Sequence, residues 1–424
     1  MNIDKDWIYS TNIYEVNLRQ YTPEGSFNAF GQHLGRLHDM GVKTLWFMPI
    51  TPIAQKEKKG SLGSYYACSD YTSINPEFGT LEDFKALVKK AQGLGMKVII
   101  DWVANHTGWD HVWTRTHPDW FEKDPATGDF KRASGMDDII ELDFTKPAMR
   151  KAMIEAMAFW VRECGIDGFR CDLAFWVELD FWQEAIPELN AAKPLFWLAE
   201  SDPLDHPGYM QVFDAAYSWS WMHGTERFYR EGRPLGELVG ILDRYLSAPG
   251  LQAWFTSNHD ENSWNGSEYE KYGDAALALA VHSLTWPGLP LIYSGQELPN
   301  RKRLLFFDKD IIDWNGEPQL HGFYKTLLEL KARHPALDAR SEIFRLYTSS
   351  DANVLAYLRK KGADEVMVLL NLSPNHVRFD VLSSWVGGDF TEVFGRYGQD
   401  LSLNKRFEMK AWEYRVFAKD AGTV

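Results

Sequence analysis

The sequence predicts an α/β fold, a (β/α)8 or TIM barrel followed by a C-terminal antiparallel β-sandwich domain. Eight short runs with strand character alternate with amphipathic stretches between residues 7 and 295. These runs are nearly all apolar, which is typical of parallel strands that are covered by helices. From about residue 340 the pattern changes to short alternating strands with turn residues between them, which is typical of a sandwich.

The eight strand candidates follow one another with a helical pattern between most neighbours. They are residues 7–16, 44–50, 97–103, 166–173, 195–200, 213–218, 252–258 and 289–295. Helical stretches such as 81–96 and 147–164 have apolar residues at helical spacing, with a glycine near the end as in helix C-caps. A doubly wound sheet is the alternative, but no glycine-rich phosphate turn follows the first strand, so the barrel is favoured.

Two breaks in this alternation predict the domain boundaries. Residues 104–145 are polar and aromatic without a helical period, which predicts a short insertion after the third strand. Residues 1–103 and 146–338 would then form the barrel, and residues 339–424 the β-sandwich.

Composition restricts the partners of the chain. The net charge of −14 disfavours nucleic acids, anionic membranes and strongly anionic substrates, and it suits a neutral molecule or polymer. Aromatic residues make up 14% of the chain, including 18 tryptophans, and such rings fill cores or provide flat surfaces for sugars. No oligomeric state is indicated.

The cysteines and the N-terminus indicate a compartment. Cys68, Cys164 and Cys171 are odd in number and lack metal-ligand spacing, so we expect reduced thiols. No apolar signal segment is visible, which predicts a cytoplasmic protein, or an extracellular or periplasmic one if a signal peptide has been removed. The longest apolar run, 275–293, is broken by proline and glycine and predicts a buried helix, a turn and a strand.

Ionisable residues lie where four of the predicted strands end. They are Asp101, the Arg170 and Asp172 pair, Glu200, and the segment 258–261. The carboxyl ends of barrel strands meet on one rim, where the chemistry of such barrels takes place. Several carboxylates without a Cys/His metal set suit glycosidic bond cleavage, which needs one carboxylate as nucleophile or base and one carboxylic acid as proton donor.

The spacing of Arg170 and Asp172 predicts an ion pair. Residues two apart on a strand share a face, so both side chains would point into the barrel and Cys171 away from it. The guanidinium would keep Asp172 ionised. Glu200 has no arginine in its own segment and follows an apolar run, which favours the protonated carboxyl of a general acid.

Four motifs carry a resemblance to a known family. They are "DWVANH" (101–106), "GFRCDLAFW" (168–176), "LAES" (198–201) and "SNHDE" (257–261). In this order the chain resembles the α-amylase family, glycoside hydrolase family 13, over essentially its whole length. The resemblance implies a retaining hydrolase that cleaves α-1,4-glucosidic bonds of starch, maltodextrin or maltooligosaccharides through a covalent glycosyl-enzyme.

The resemblance implies roles for individual residues. Asp172 matches the nucleophile, Glu200 the general acid/base, and Asp260 the carboxylate that stabilises the transition state. The substrate-binding residues that it implies are Tyr66 as a stacking ring, His106 and His259 as hydrogen-bonding histidines, and Arg170 with Asp101 as its partner.

Departures from the family pattern leave alternatives open. A Lys-His pair that often follows the nucleophile is here Phe175-Trp176, which places these rings on the acceptor side and leaves a transglycosylase or a sucrose- or trehalose-type enzyme as the alternative. A non-catalytic sugar-binding barrel is disfavoured because all three carboxylates are present.

A structural calcium is the one cofactor that the resemblance leaves open; the chemistry itself requires none. In many relatives Asn105 binds calcium with carboxylates of the insertion, for which Asp137, Asp138 and Asp143 are the candidates. The insertion is shorter than usual, which weakens this expectation.

Overall fold

The computed structural model describes residues 5–314, 316 and 318–419, and the predicted barrel is confirmed. The first ten strands are β1 (Ile13–Val16), β2 (Thr44–Phe47), β3 (Lys97–Trp102), β4 (His106–Gly108), β5 (Ile139–Glu141), β6 (Gly168–Cys171), β7 (Phe196–Ala199), β8 (Ala215–Tyr217), β9 (Leu251–Trp254) and β10 (Leu289–Tyr293). All but β4 and β5 form a closed parallel barrel in the order β1-β10-β9-β8-β7-β6-β3-β2. In this order β1 and β7 are diametrically opposite.

Helices surround the barrel and connect its strands. They are α1 (Leu18–Tyr21), α2 (Phe27–Phe30), α3 (Leu34–Met40), α4 (Leu81–Gly93), α5 (Val112–Thr116), α6 (Pro147–Cys164), α7 (Leu179–Ala192), α8 (Trp219–Glu231), α9 (Leu235–Leu246), α10 (Glu268–Tyr272), α11 (Ala276–Thr285) and α12 (His321–Arg333). Local sequence explains their limits: Thr80 and Asp83 form a capping box at the start of α4, and Gly165 ends α6 with φ of 65°. Within the described ranges, no helix is long and apolar enough to cross a bilayer.

The first predicted strand is too long. Residues Asp6–Ser10 form a 3-10 helix, and β1 begins only at Ile13. The apolar side chains that suggested a strand instead pack at the amino end of the barrel, where the Trp7 ring meets the Phe196 ring edge-on at 5.8 Å. These residues are apolar because they are buried against the barrel interior. Periodicity alone cannot distinguish such a buried helical run from a strand.

The insertion after β3 contains one small antiparallel pair, in which His106 on β4 lies opposite Glu141 on β5. Met136, Asp138 and Ile139 of this insertion line a cavity together with residues that follow the barrel strands.

The predicted C-terminal antiparallel domain is also confirmed. Its strands are β11 (Glu342–Leu346), β12 (Val354–Lys361), β13 (Asp364–Asn371), β14 (Val377–Asp380), β15 (Asp389–Glu392), β16 (Gly398–Asp400), β17 (Arg406–Met409) and β18 (Tyr414–Lys419). They form a six-stranded sheet, β11-β12-β13-β18-β15-β16, and the pair β14-β17, with apolar side chains of both in one cluster. The outermost residues of the predicted domains, 1–4 and 420–424, lie outside the described residues.

Candidate active site

The motif residues converge on the carboxyl end of the barrel because each follows a parallel strand. Asp101 near the end of β3 lies beside Arg170 on β6 in the sheet register. Asp172 follows β6 directly, and Glu200 follows the neighbouring strand β7. Their proximity is therefore a consequence of adjacent parallel strands ending at one rim.

The centre of the site is the fully buried guanidinium of Arg170. Its Nη1 donates to Asp101 Oδ1 at 2.8 Å and to Asp172 Oδ1 at 3.0 Å. Its Nη2 lies 2.8 Å from Glu200 Oε2. One cation thus binds three carboxylates, and this planar arrangement of donors is available to arginine but not to lysine.

The carboxylates around Arg170 do not all ionise easily. Burial, followed by the charge of Glu200, raises the pKa of Asp172 well above its ordinary value, although Arg170 opposes this. Burial likewise raises the pKa of Asp101, again against the effect of Arg170. Three carboxylates facing one buried guanidinium therefore favour retention of a proton within the group.

This arrangement corrects one expectation from the sequence. The sequence analysis expected Arg170 to keep Asp172 ionised and found no arginine in the segment that contains Glu200. The structure shows that Arg170 contacts Glu200 as closely as it contacts Asp172. Because β6 and β7 are neighbours, a side chain on one strand reaches both strand ends, which spacing within one segment cannot reveal.

The turn after β6 also holds Glu200. Leu173 adopts a left-handed backbone conformation with φ of 39°, and its N–H donates to Glu200 Oε2 at 2.8 Å. Such a conformation is unusual for a branched residue and costs on the order of 1–3 kcal/mol. The Glu200 carboxyl is thus held through Oε2 by both Leu173 and Arg170.

Asp260 and His259, which follow β9, form a second polar group of the site. His259 Nδ1 lies 2.5 Å from Glu15 Oε1, and His259 Nε2 lies 3.2 Å from Asp260 Oδ2. Burial lowers the pKa of His259, but the charges of Asp260 and Glu15 outweigh it and hold that pKa well above the usual value. Burial raises the pKa of Asp260, but His259 more than compensates, so the net pKa lies below the ordinary value. A cationic His259 thus keeps Asp260 ionised.

His259 is buried and does not line the cavity, which differs from the predicted contact with the sugar. Its Nε2 is also 2.7 Å from the hydroxyl of Tyr66, so both ring nitrogens have protein partners. Glu15, on β1, is a functional neighbour that the sequence analysis missed. Strand alternation would have placed it inside the barrel, but its partner is 244 residues away.

Tyr66 and His106 both line the cavity. The Tyr66 hydroxyl donates to Asp101 Oδ2 at 3.0 Å, which connects the loop after β2 to the Arg170 cluster. His106 is buried, its Nε2 lies 4.0 Å from Asp172 Oδ2, and this atom has no hydrogen-bond partner among the described residues. Burial lowers the pKa of His106 to about 3, so a neutral ring faces the substrate space.

The cavity above these residues has a volume of about 500 Å³. Asp172, Glu200 and Asp260 all line it. The sequence analysis missed further lining residues from three separate segments, which are Lys59, Ser64, Met136, Ile139, Phe306 and Phe307. All but Ile139, the first residue of β5, occur on irregular segments, where no periodic pattern indicates which side chains point inward.

Phe175 and Trp176 do not line this cavity, contrary to the expectation that they border the acceptor. They lie in a short 3-10 helix after Leu173, and the Phe175 ring stacks on His206 at 4.5 Å. Trp264, which is 53% exposed, lines the cavity instead.

The predicted calcium ligands do not form a site. Asp138 pairs with Lys59 at 2.7 Å and lines the cavity, whereas Asp143 binds Thr145 and pairs with Lys146. Asp137 pairs with Arg132, and the Asn105 amide is 3.4 Å from His106 Nδ1. Among the described residues, no group of three His, Cys, Asp or Glu side chains could hold a metal ion. These residues therefore do not fit a calcium ion as arranged.

Comparison with known proteins gives consistent matches. Residues 7–130 match the family described as "Alpha amylase, catalytic domain", and residues 344–416 match "Maltogenic Amylase, C-terminal domain". The chain is 26% identical over 92% of its length to an α-amylase of Haloarcula japonica, and 24% identical over 82% to a cyclomaltodextrinase of Geobacillus thermopakistaniensis. It spans only 59% and 62% of the lengths of these two relatives.

Solved structures resemble the chain over nearly its full length. A maltogenic α-amylase from Thermotoga neapolitana has a TM-score of 0.88 at 28% identity, covering 97% of this chain and 99% of that one. An α-amylase from Lactobacillus plantarum has a TM-score of 0.87 at 27% identity, covering 98% and 100%. Together with the strand-end motifs, the two family matches and these similarities show an α-amylase catalytic domain, as in glycoside hydrolase family 13, followed by a maltogenic amylase C-terminal domain.

Proposed function

We propose that this chain is a retaining glycoside hydrolase that cleaves α-1,4-glucosidic bonds of starch, maltodextrin or maltooligosaccharides. The observation that carries the proposal is that Asp172 and Glu200 bind one guanidinium, Arg170, at a cavity that both line. Two carboxyl groups on one guanidinium are close together. Retaining enzymes need a short separation of about 5 Å, whereas inverting enzymes leave room for a water molecule.

In this proposal Asp172 attacks the anomeric carbon while Glu200 donates a proton to the departing oxygen. This mechanism requires that Asp172 is ionised and that Glu200 carries the proton that it donates when the substrate is bound. Water subsequently attacks the glycosyl-enzyme, and Glu200 takes up the proton of that water. Asp260, kept ionised by His259, stabilises the positive charge that develops on the sugar.

The test is turnover of maltoheptaose with the anomeric form of the first product followed by proton NMR. We expect the α-anomer to appear first, and Asp172→Asn to reduce kcat by at least about 10⁴-fold while maltooligosaccharide binding persists. Asp119→Asn, at an exposed aspartate of the insertion, is the matched control and should retain activity. First release of the β-anomer, or substantial activity of Asp172→Asn, would contradict the mechanism.

Transfer of the glycosyl unit to a second sugar is the other candidate. It is favoured by a relative named as an α-1,4-glucan:maltose-1-phosphate maltosyltransferase, from Rhodospirillum rubrum, which is 27% identical over 85% of this chain. The chain spans 57% of that relative. Products longer than maltoheptaose would establish transfer, because simple hydrolysis only shortens the chain.

A further inference from the structure

One side of the cavity is lined by a wall made of four chain segments. The wall consists of Lys59 after β2, Met136 and Asp138 from the insertion after β3, Trp264 after β9, and Phe306 with Phe307 after β10, all of which line the cavity. In the barrel order, β2 and β10 flank β1, and β3 and β9 are the next strands outward. The wall is therefore centred above β1.

The segments of the wall are bonded to one another. Lys59 Nζ lies 2.7 Å from Asp138 Oδ1, which joins the loop after β2 to the insertion. The Ser61 N–H and hydroxyl donate to Asp308 Oδ1 at 2.8 and 2.6 Å, and the Leu62 N–H donates to the Phe307 carbonyl at 2.9 Å. The loop after β2 is thereby held against the segment after β10.

A close backbone approach supports this contact. Gly60 has φ of 59°, and a Cβ on it would lie 2.5 Å from Phe307 Cβ and 2.9 Å from the Phe307 carbonyl oxygen. Only glycine allows the two segments to touch here.

An aromatic cluster connects the wall to the ring of Tyr66 at the cavity. The Phe306 ring lies 5.1 Å from Phe307 and 5.3 Å from Trp264, and it stacks on Tyr66 at 6.2 Å. Trp264 and Asp260 follow the same strand, β9, and both line the cavity. The wall therefore meets the site through Tyr66 and Asp260, and not through Glu200.

The position of Glu200 defines the direction of the substrate. Glu200 follows β7, which is diametrically opposite β1 in the closed barrel. If Glu200 protonates the departing oxygen, as in the proposed function on which this inference rests, the leaving sugar lies above β7. The glycosyl unit that bonds to Asp172, and every sugar on its non-reducing side, must then extend towards β1 and meet the wall.

We propose that the wall closes the non-reducing side of the substrate site, so that the enzyme acts on chain ends as an exo-enzyme. An internal bond of a long glucan would require the chain to pass through the Lys59–Asp138 ion pair and the aromatic cluster. Short maltooligosaccharides and the free non-reducing ends of longer glucans are therefore the substrate class.

The test compares two p-nitrophenyl maltoheptaosides, one free and one carrying a 4,6-O-ethylidene group on its non-reducing glucose. We expect kcat/KM for the free substrate to exceed that for the blocked one by at least about 100-fold. The early products should be one short sugar and the complementary remainder of the substrate chain. Cleavage of both at rates within about threefold would overturn the inference while leaving the proposed function intact. Cleavage of neither would overturn the proposed function and the inference with it.

A variant pair tests the wall itself. Lys59→Ala removes the ion pair with Asp138. We expect the ratio of kcat/KM for the blocked substrate to kcat/KM for the free substrate to rise at least about fivefold. Lys131→Ala is the matched control, since Lys131 pairs with Glu122 and Glu141 in the same insertion but does not line the cavity. The control should leave the ratio unchanged; an unchanged ratio in Lys59→Ala, or an equal rise in both variants, would contradict the role of the wall.

Discussion

Replacement of Arg170 by lysine should separate the role of the guanidinium shape from that of its charge. The three carboxylate contacts of Arg170, at 2.8, 3.0 and 2.8 Å, use two different nitrogens. A single ammonium group keeps the positive charge but cannot occupy both positions, so at least one of Asp172 and Glu200 loses its partner. Buried carboxylates that lose a partner are costly, and breaking such a pair destabilises a protein by about 3–5 kcal/mol.

The expected loss of activity follows from the same geometry. Misplacement of a reacting group by about 1 Å costs on the order of 100-fold in rate, and both the nucleophile and the acid are affected. We therefore expect kcat/KM of Arg170→Lys to fall by about 10²–10⁴-fold, which corresponds to roughly 3–5 kcal/mol of transition-state stabilisation. Hydrolysis of maltoheptaose and thermal unfolding would be measured on the same preparation.

Arg359→Lys is the matched control for this variant. Arg359 is equally buried, but it lies on β12 of the C-terminal domain and donates to the backbone carbonyls of Thr285 and Asp338, both at 2.7 Å. We expect this control to lower the melting temperature while kcat/KM stays within about threefold. The reasoning is refuted if folded Arg170→Lys retains more than about a tenth of wild-type kcat/KM, or if the control loses activity to the same extent.

Three further predictions concern the acid, a buried histidine and calcium. Glu200→Gln should slow glycosylation by natural maltooligosaccharides much more than by aryl glycosides with good leaving groups, measured by single-turnover kinetics; equal slowing would exclude Glu200 as the acid. Burial lowers the pKa of His282 to about 3, so stability that is present above pH 6.5 is lost as the pH falls towards 3. His282→Phe should therefore gain about 2 kcal/mol relative to wild type between pH 8 and pH 5 in thermal unfolding, and an equal change for both proteins would refute this. Because Lys59 and Lys146 pair with two of the candidate calcium ligands, EDTA should leave activity and melting unchanged once metal removal is verified, whereas a lowered melting temperature would indicate a structural ion.

Much of the barrel was predictable because its strands and helices follow patterns that are local in the sequence. Strand and helix periods along the chain identify the eight strands, and parallel strands must end on one rim. Asp101, Asp172 and Glu200 could thus be expected together from their positions after apolar runs. The first strand was extended too far because the side chains around Trp7 are apolar for another reason, the closure of the barrel end.

The sequence by itself determined the order of the motifs, the class of the fold and the catalytic candidates, since these depend on local spacing. Only the tertiary structure decided how the charges are shared. Arg170 on β6 binds Glu200 after the neighbouring strand β7, and Glu15 on β1 binds His259 after β9, two strands away in the barrel. Partners are therefore set by the order of the strands in the barrel and not by distance along the chain. The wall likewise could not be predicted from the sequence, because the Lys59–Asp138 contact joins irregular segments whose side-chain directions follow no period.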